Sequence, residues 1–324
     1  MKPSTAAALA LAASLGTTAH ALDGAWTAMQ DEERPDRIYL SLTRGRTNQM
    51  GTTLPAGAFV GLTPSQIVAA TETAVRFELR REAGDTTLEG SFRDGKGSGH
   101  FSFVARPAFL GDVRALGVSV GRSQLVKDQE EQLFTLAMCD VTIAYIRSMI
   151  AEGYRVTLDE YLSMRIFDVT PEYIREMRSL GFNNISQNDL VATKIHGVSP
   201  DYIREMRAQG WDLSLDDYQA NRIFDVTPQF AEQMKQLGYD GLSRDDLVAF
   251  RIHGVTREYI HEMRDLGYAD LSAGDLVSGR IHGITPDFIR EVAEAGYVKV
   301  PFDKLVALRL SGIDAKVLER MRSY

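Results

Sequence analysis

The chain has 324 residues, with 36 basic against 44 acidic side chains for a formal net charge of −8, and a single cysteine, Cys139. The acidic balance argues against non-specific nucleic-acid binding, which needs basic surface to meet phosphates. With one cysteine no intrachain disulfide is available, so stability has to come from packing.

The first residues, Met1-Lys2, lead into an Ala/Leu-rich run from Ala6 to Gly16 and then to Ala19-His20-Ala21. A basic start, a short apolar stretch and an A-x-A site predict a secretory signal peptide over residues 1–21, cleaved after Ala21. The run is too short for a membrane span, and no later segment approaches the roughly 20 apolar residues a span requires. A soluble periplasmic or secreted product beginning near Leu22 is therefore expected. Loss of Lys2 leaves it 35 basic and 44 acidic side chains, a net of −9. No cysteine follows the cleavage site to carry a bacterial lipid anchor.

Residues 22–106 read as a small antiparallel β domain. Arg37 to Thr43, Val75 to Arg80, Thr87 to Phe92 and His100 to Phe103 alternate apolar and polar residues. The turns at Ala83-Gly84-Asp85 and Asp94-Gly95-Lys96-Gly97 make the last three a meander. Thr63 to Ala69 predicts a short helix. The last strand runs directly into Pro107, so the domain is expected to close the N-terminal end of the helical array that begins there.

Residues 107–324 are a repeat. Thr170-Pro-Glu-Tyr-Ile-Arg-Glu-Met-Arg-Ser-Leu-Gly181 returns as Ser199-Pro-Asp-Tyr-Ile-Arg-Glu-Met-Arg-Ala-Gln-Gly210 and as Thr256-Arg-Glu-Tyr-Ile-His-Glu-Met-Arg-Asp-Leu-Gly267. Weaker copies start at Thr142, Thr227, Thr285 and Asp314, and an earlier one at Pro107, with an insertion near Val118 to Gln129. The spacing is 28 or 29 residues. Each copy carries two helix signatures. The first has a Thr or Ser cap, usually Pro at the first helical position and a Gly stop. The second opens on pairs such as Ser186/Asp189 or Thr157/Glu160, spaced as a capping box. Helices of about ten residues do not persist alone, so stacked neighbours must stabilise them. The fold class expected is α+β, an antiparallel β domain followed by an α-solenoid of helix-turn-helix repeats.

Several columns recur at this spacing. Arg165, Lys194, Arg222, Arg251, Arg280 and Arg309 are basic in six consecutive copies. With Leu190 at the centre of the apolar face and Ile195 counted within it, Lys194 falls about 40° from that centre. A charge there needs a partner. A structural ladder to acidic groups or helix-end carbonyls is the expected arrangement, and a groove for anions the alternative. Arg175, Arg178, Arg204 and Arg207 form a basic strip on the exposed face of the first helices, interleaved with Glu176 and Glu205; with Trp211 they are the candidate binding surface. Tyr173, Tyr202, Phe230, Tyr259 and Phe288 are read as core. His196, His253 and His282 occupy one position in three copies, but translated copies point in parallel and no second ligand is evident, so helix-end capping is expected instead of metal binding. Cys139 has no activating neighbour in sequence and is expected to be inert. No catalytic, cofactor-binding or metal-ligating set is found.

The stretch from Phe77 to Phe103 and the repeated Tyr-Ile-Arg-Glu-Met-Arg and Arg-Ile-His-Gly-Val-Thr strings resemble an uncharacterised family of exported bacterial helical-repeat proteins. The repeats are also similar to extracytoplasmic appendages of sensor peptidases related to the antirepressor of β-lactamase induction. The resemblance implies a compartment, an architecture and a link to envelope sensing, with no chemistry to transfer. Those peptidases carry a His-Glu-x-x-His metal helix; here His261-Glu-Met-Arg-Asp265 has Asp in place of the second His. The function expected is non-enzymatic protein–protein interaction or scaffolding in the bacterial envelope, without a cofactor and with a protein partner. Binding of an envelope glycan or peptide is the alternative.

Overall fold

The computed structural model describes residues 22–45, 48–121, 128–208, 210–314, 317, 318 and 320. The signal peptide expected over residues 1–21 with its cleavage point, and residues 122–127 of the expected insertion, lie outside the described residues. The chain is of the α+β class. Seven strands, β1 (Leu22–Gln30), β2 (Arg37–Arg44), β3 (Asn48–Pro55), β4 (Phe59–Val60), β5 (Thr73–Arg81), β6 (Gly84–Arg93) and β7 (Lys96–Ala105), form one curled antiparallel sheet in the order β3-β2-β1-β7-β6-β5-β4. The short helix α1 (Pro64–Ile67) precedes β5 and begins with a capping box between Thr63 and Gln66.

The expected meander over β5 to β7 is present, and β1 then joins it to β2 and β3 by pairing with both β7 and β2. Alternation places Trp26, Ile38, Leu40, Leu42, Val75, Phe77, Leu79, Phe101 and Phe103 in the interior. The Trp26 indole crosses β7 to donate to the Glu89 carbonyl oxygen on β6 at 3.1 Å. Gly99 and Gly90 face each other at this crossing. A Cβ on Gly90 would collide with the Ser98 carbonyl oxygen, so the close approach of these strands requires glycine.

Fourteen further helices come after the sheet among the described residues: α2 (Ala108–Ala115), α3 (Gln129–Met138), α4 (Ile143–Ala151), α5 (Leu158–Ile166), α6 (Pro171–Ser179), α7 (Gln187–Ile195), α8 (Pro200–Ala208), α9 (Leu215–Ile223), α10 (Pro228–Gln236), α11 (Arg244–His253), α12 (Arg257–Asp265), α13 (Ala273–Ile281), α14 (Pro286–Glu294) and α15 (Phe302–Leu310). Their starts agree with the sequence signatures. Thr142, Ser186, Ser214, Thr227, Thr256 and Thr285 accept from backbone N–H groups of the first turn, while Thr157, Ser243 and Ser272 form complete capping boxes. Their ends reverse through left-handed residues: Gly153, Gly181, Gly210, Gly238, Gly267 and Gly296 after the first helix of each repeat, and Asp140, Asp168, Gly197, Asp225, Gly254 and Gly283 after the second. The next residue folds back to close the turn, as in Val255 N–H to the Phe250 carbonyl at 2.8 Å.

The chain divides into two compact units, residues 1–175 and 176–324, so the division falls within the repeats and not at the sheet–helix junction. Inside the first, Phe134 of α3 stacks on Phe101 at 5.7 Å and meets Phe103 edge-on at 5.2 Å, which seats α3 on the sheet. The Glu82 carboxylate, in the β5–β6 turn, accepts from the Ile143 N–H at 2.7 Å and so caps α4 from outside its own sequence. Arg81 pairs with Asp140 at 3.2 Å. The second unit has its own core, which includes Phe230, Met234, Phe250, Tyr259, Met263, Phe288 and Leu305.

Candidate functional site

The basic column is built into a ladder from helix to helix within each compact unit. Arg222, Arg280 and Arg309 donate from Nε to the carbonyl oxygens of His196, His253 and Gly283, each at 3.2 Å. These acceptors are orphan helix-end carbonyls, where a cation is favoured. The guanidinium carbons lie over the rings of Tyr202 at 5.0 Å, Tyr259 at 5.0 Å and Phe288 at 4.4 Å. Where the stop residue is Asp, a carboxylate joins the contact. Arg165 meets both the Cys139 carbonyl at 3.3 Å and Asp140 at 3.5 Å, and Arg251 pairs with Asp225 at 3.0 Å above the Phe230 ring. Lys194 is half-buried at the same position.

The angular placement of this column is corrected by the structure. Arg222, Arg280 and Arg309 are exposed, and the residue beside each is more exposed than the wheel placed it. Ile195, counted within the apolar face, points to solvent, as do its counterparts Ile223, Ile252, Ile281 and Leu310; Ile252 is 52% and Ile281 54% exposed. The reason is that each of these residues lies five positions, and so about 140° around the helix, beyond a buried residue of the same helix: Leu190, Tyr218, Leu247, Leu276 or Leu305. The signal was present in the sequence, since every copy carries a large aliphatic residue one or two positions before its stop. Val248, Val277 and Val306, one turn earlier on α11, α13 and α15, are partly buried against the core and extend the aliphatic surface along each helix.

The strip expected to form a binding surface separates into two kinds of residue. Arg175 and Arg204 are exposed, Arg175 pairing with Glu172 of its own helix at 2.7 Å and with Glu152 at the end of α4 at 3.1 Å, and Arg204 with Asp201 of its own helix at 2.5 Å. Arg207 is not on the open face. It donates to the Leu180 carbonyl at 2.8 Å, pairs with Asp212 at 2.8 Å and lies 5.5 Å over the Phe182 ring. Arg264 repeats this arrangement with the Leu237 carbonyl and the Tyr239 ring. A second ladder thus ties first helices together, and Arg178, half-buried, holds the matching position. Trp211 is half-buried against the core of the second unit, and its carbonyl accepts from the Tyr218 hydroxyl at 2.7 Å.

Burial pushes the Cys139 thiol up to about 11, with Arg165 pulling modestly the other way, so the thiolate is scarce at neutral pH. Burial likewise raises the phenols of Tyr202 and Tyr259 to about 12, against the opposing charges of Arg222 and Arg280. His261 on α12 is exposed and lies 3.5 Å from the Arg257 Nε. Among the described residues no three His, Cys, Asp or Glu side chains gather as a metal site would require, and no single helix is long and apolar enough to cross a membrane. No protein family, curated protein or solved structure matches the chain.

Proposed function

We propose that the chain is a non-enzymatic polypeptide-binding scaffold of the bacterial envelope, an α-solenoid whose sheet closes the N-terminal end and whose second helices carry the docking surface. The observation behind this reading is the repeated exposure of one large aliphatic residue, Ile223, Ile252, Ile281 and Leu310, in successive repeats of the second unit. A single exposed Ile is ordinary, whereas a row at fixed register is a surface held ready for a partner. The charged columns do not compete for this role, because their hydrogen bonds are spent between repeats.

The test is capture from envelope extract by the wild-type chain and by an Ile252→Glu/Ile281→Glu variant. Both sites are open to solvent, so the variant should melt within about 1 kcal/mol of wild type. It should lose the protein partner that wild type retains. Equal capture by both, or retention of glycans alone, would overturn the reading.

A further inference from the structure

The first helix of five repeats fills its fourth position with isoleucine and its fifth with a basic residue: Ile146-Arg147, Ile174-Arg175, Ile203-Arg204, Ile260-His261 and Ile289-Arg290. All five isoleucines are buried. The copies beginning at Pro107 and Asp314 have Leu110-Gly111 and Leu318-Glu319, which keep a buried aliphatic residue at the fourth position; helix α10, with Ala231-Glu232, is the copy that loses it. Ala231 is half-exposed where its counterparts are buried, and Glu232 reverses the charge beside it. At this place a groove of about 700 Å³ opens, lined by Trp211, Ala231, Glu232, Lys235, Asp240 and Leu247 among others.

We infer that this groove binds a polypeptide segment that inserts a large aliphatic side chain beside Ala231 and sets an adjacent Arg or Lys against Glu232 and Asp240. The segment supplies in trans the aliphatic–basic pair that five other repeats supply in cis. The apolar part of the argument is volume. Loss of three side-chain carbons at a position whose Ile counterparts are buried leaves space beside Ala231, and because the groove opens to solvent a ligand can fill it. Trp211 is also the largest member of its column, where Phe182, Tyr239 and Tyr268 stand in other repeats, and a partly exposed Trp is the residue type most often found anchoring a partner.

The polar part is charge complementarity. The Glu232 carboxylate accepts only from the neutral Gln236 amide, at 3.2 Å, and neither Glu232 nor Asp240 forms an ion pair among the described residues. Two uncompensated carboxylates against the single Lys235 favour a cationic ligand, and the net charge of −8 favours its approach. This inference rests on the reading of the chain as a polypeptide-binding module but places a separate site, on α10 instead of along the aliphatic row.

The test tracks the indole N–H resonances of Trp26 and Trp211 in the full chain, assigned with Trp211→Phe. The probes are short blocked peptides with a central Ile-Arg, Ile-Glu or Ala-Arg pair between Gly and Ser residues. The Ile-Arg peptide should shift Trp211 and leave Trp26 unmoved. Removing the aliphatic group in the Ala-Arg peptide should weaken binding by roughly tenfold, and reversing the charge in the Ile-Glu peptide by about fivefold. Ala231→Ile restores the repeat, should fold at least as stably and should abolish the shift. The inference is wrong if the Ile-Arg peptide leaves Trp211 unmoved in the millimolar range. Equal binding of all three peptides, or an unchanged shift in Ala231→Ile, would overturn it as well. Ile252→Glu/Ile281→Glu should leave peptide binding intact, so retained envelope capture by that variant together with peptide binding at Trp211 defeats the aliphatic-row reading alone, and lost capture with no peptide binding by wild type defeats the groove alone.

Discussion

The Nε of Arg280 donates to the His253 carbonyl oxygen at 3.2 Å, and the guanidinium passes over Gly254 so closely that a Cβ there would lie 3.0 Å from Nη2. The stop residue and the arginine of the succeeding repeat are therefore one structural choice. Glycine leaves the carbonyl open to the guanidinium, whereas aspartate, left-handed at φ 54° in Asp140 and Asp225, offers its carboxylate, beside the carbonyl bond for Arg165 and in its place for Arg251, whose Nε has no acceptor. Gly254→Asp is expected to exchange one arrangement for the other and to change stability by no more than about 1 kcal/mol, because Asp tolerates the left-handed region and the flexible end of Arg280 can yield. Gly254→Val should cost about 2 kcal/mol or more, since a β-branched residue in that region is a steric outlier. Denaturant melts of the two variants check this, and equal losses would refute the coupling.

Arg251→Met tests the ladder where it is most aromatic. The variant loses the 3.0 Å pair with Asp225 and the contact 3.8 Å above Phe230, while keeping the apolar stem. Asp225 is largely exposed and is rehydrated when its partner leaves, so the ion pair contributes little. The cation–π contact adds about 0.5–1 kcal/mol at such a site. A total loss near 1 kcal/mol is expected, with hydrogen exchange accelerating first around Asp225 and Phe230, since repeats couple mainly to neighbours. Uniform acceleration across the second unit would contradict a local ladder.

Legibility of the sequence varied with the physics of each element. Helix starts and stops were readable because caps and left-handed stops are local chemistry, and Thr157/Glu160 and Gly181 act where their spacing indicates. Strand β3 was not, because Asn-Gln-Met-Gly-Thr-Thr has no apolar alternation and is held by pairing with β2. The ladders were readable as columns but not in their angles. Arg207 reads as an exposed charge on a helical wheel, and only the neighbouring helix, whose Leu180 carbonyl it reaches, turns it inward. The groove beside Ala231 was written in the sequence as the loss of the large aliphatic residue at one position of the repeat, yet such a departure acquires meaning only when the space it leaves is seen.

Alkaline unfolding should be coupled to the buried phenols. Burial raises the Tyr259 phenol to about 12 from an ordinary value of 10, and its hydroxyl donates to the Ile284 carbonyl at 3.0 Å. A raised folded-state value means the folded chain holds its proton longer than the unfolded one. The stabilisation is complete below about pH 10 and is lost as pH rises toward about 12. Tyr202, raised in the same way, and Cys139, raised to about 11, act with the same sign. Tyrosinate absorbance should therefore rise together with loss of helical circular dichroism above pH 10 instead of preceding it, and Tyr259→Phe should weaken the pH dependence. Full ionisation of these tyrosines with helicity retained would contradict the assignment.

Asn221 offers the most direct test of how the repeat fills its core. It is fully buried in α9, at a position taken by Met164 in α5 and Phe250 in α11. Its Oδ1 accepts from the Arg244 Nε at 3.2 Å, but its Nδ2 is buried without an acceptor. An unsatisfied buried donor costs about 1–3 kcal/mol, and a neutral hydrogen bond returns only about 1 kcal/mol. Replacing the amide by an apolar side chain removes both, and Arg244 retains Asp217 at 3.2 Å and Asp245 at 2.7 Å. The side chain of methionine is unbranched and already fits this register in α5, so overpacking should be small. Asn221→Met is expected to raise stability by about 1 kcal/mol in equilibrium denaturation, with the gain concentrated in the hydrogen exchange of α9 and α11. A loss of stability would mean that the Asn221–Arg244 contact contributes more than the orphaned amide costs.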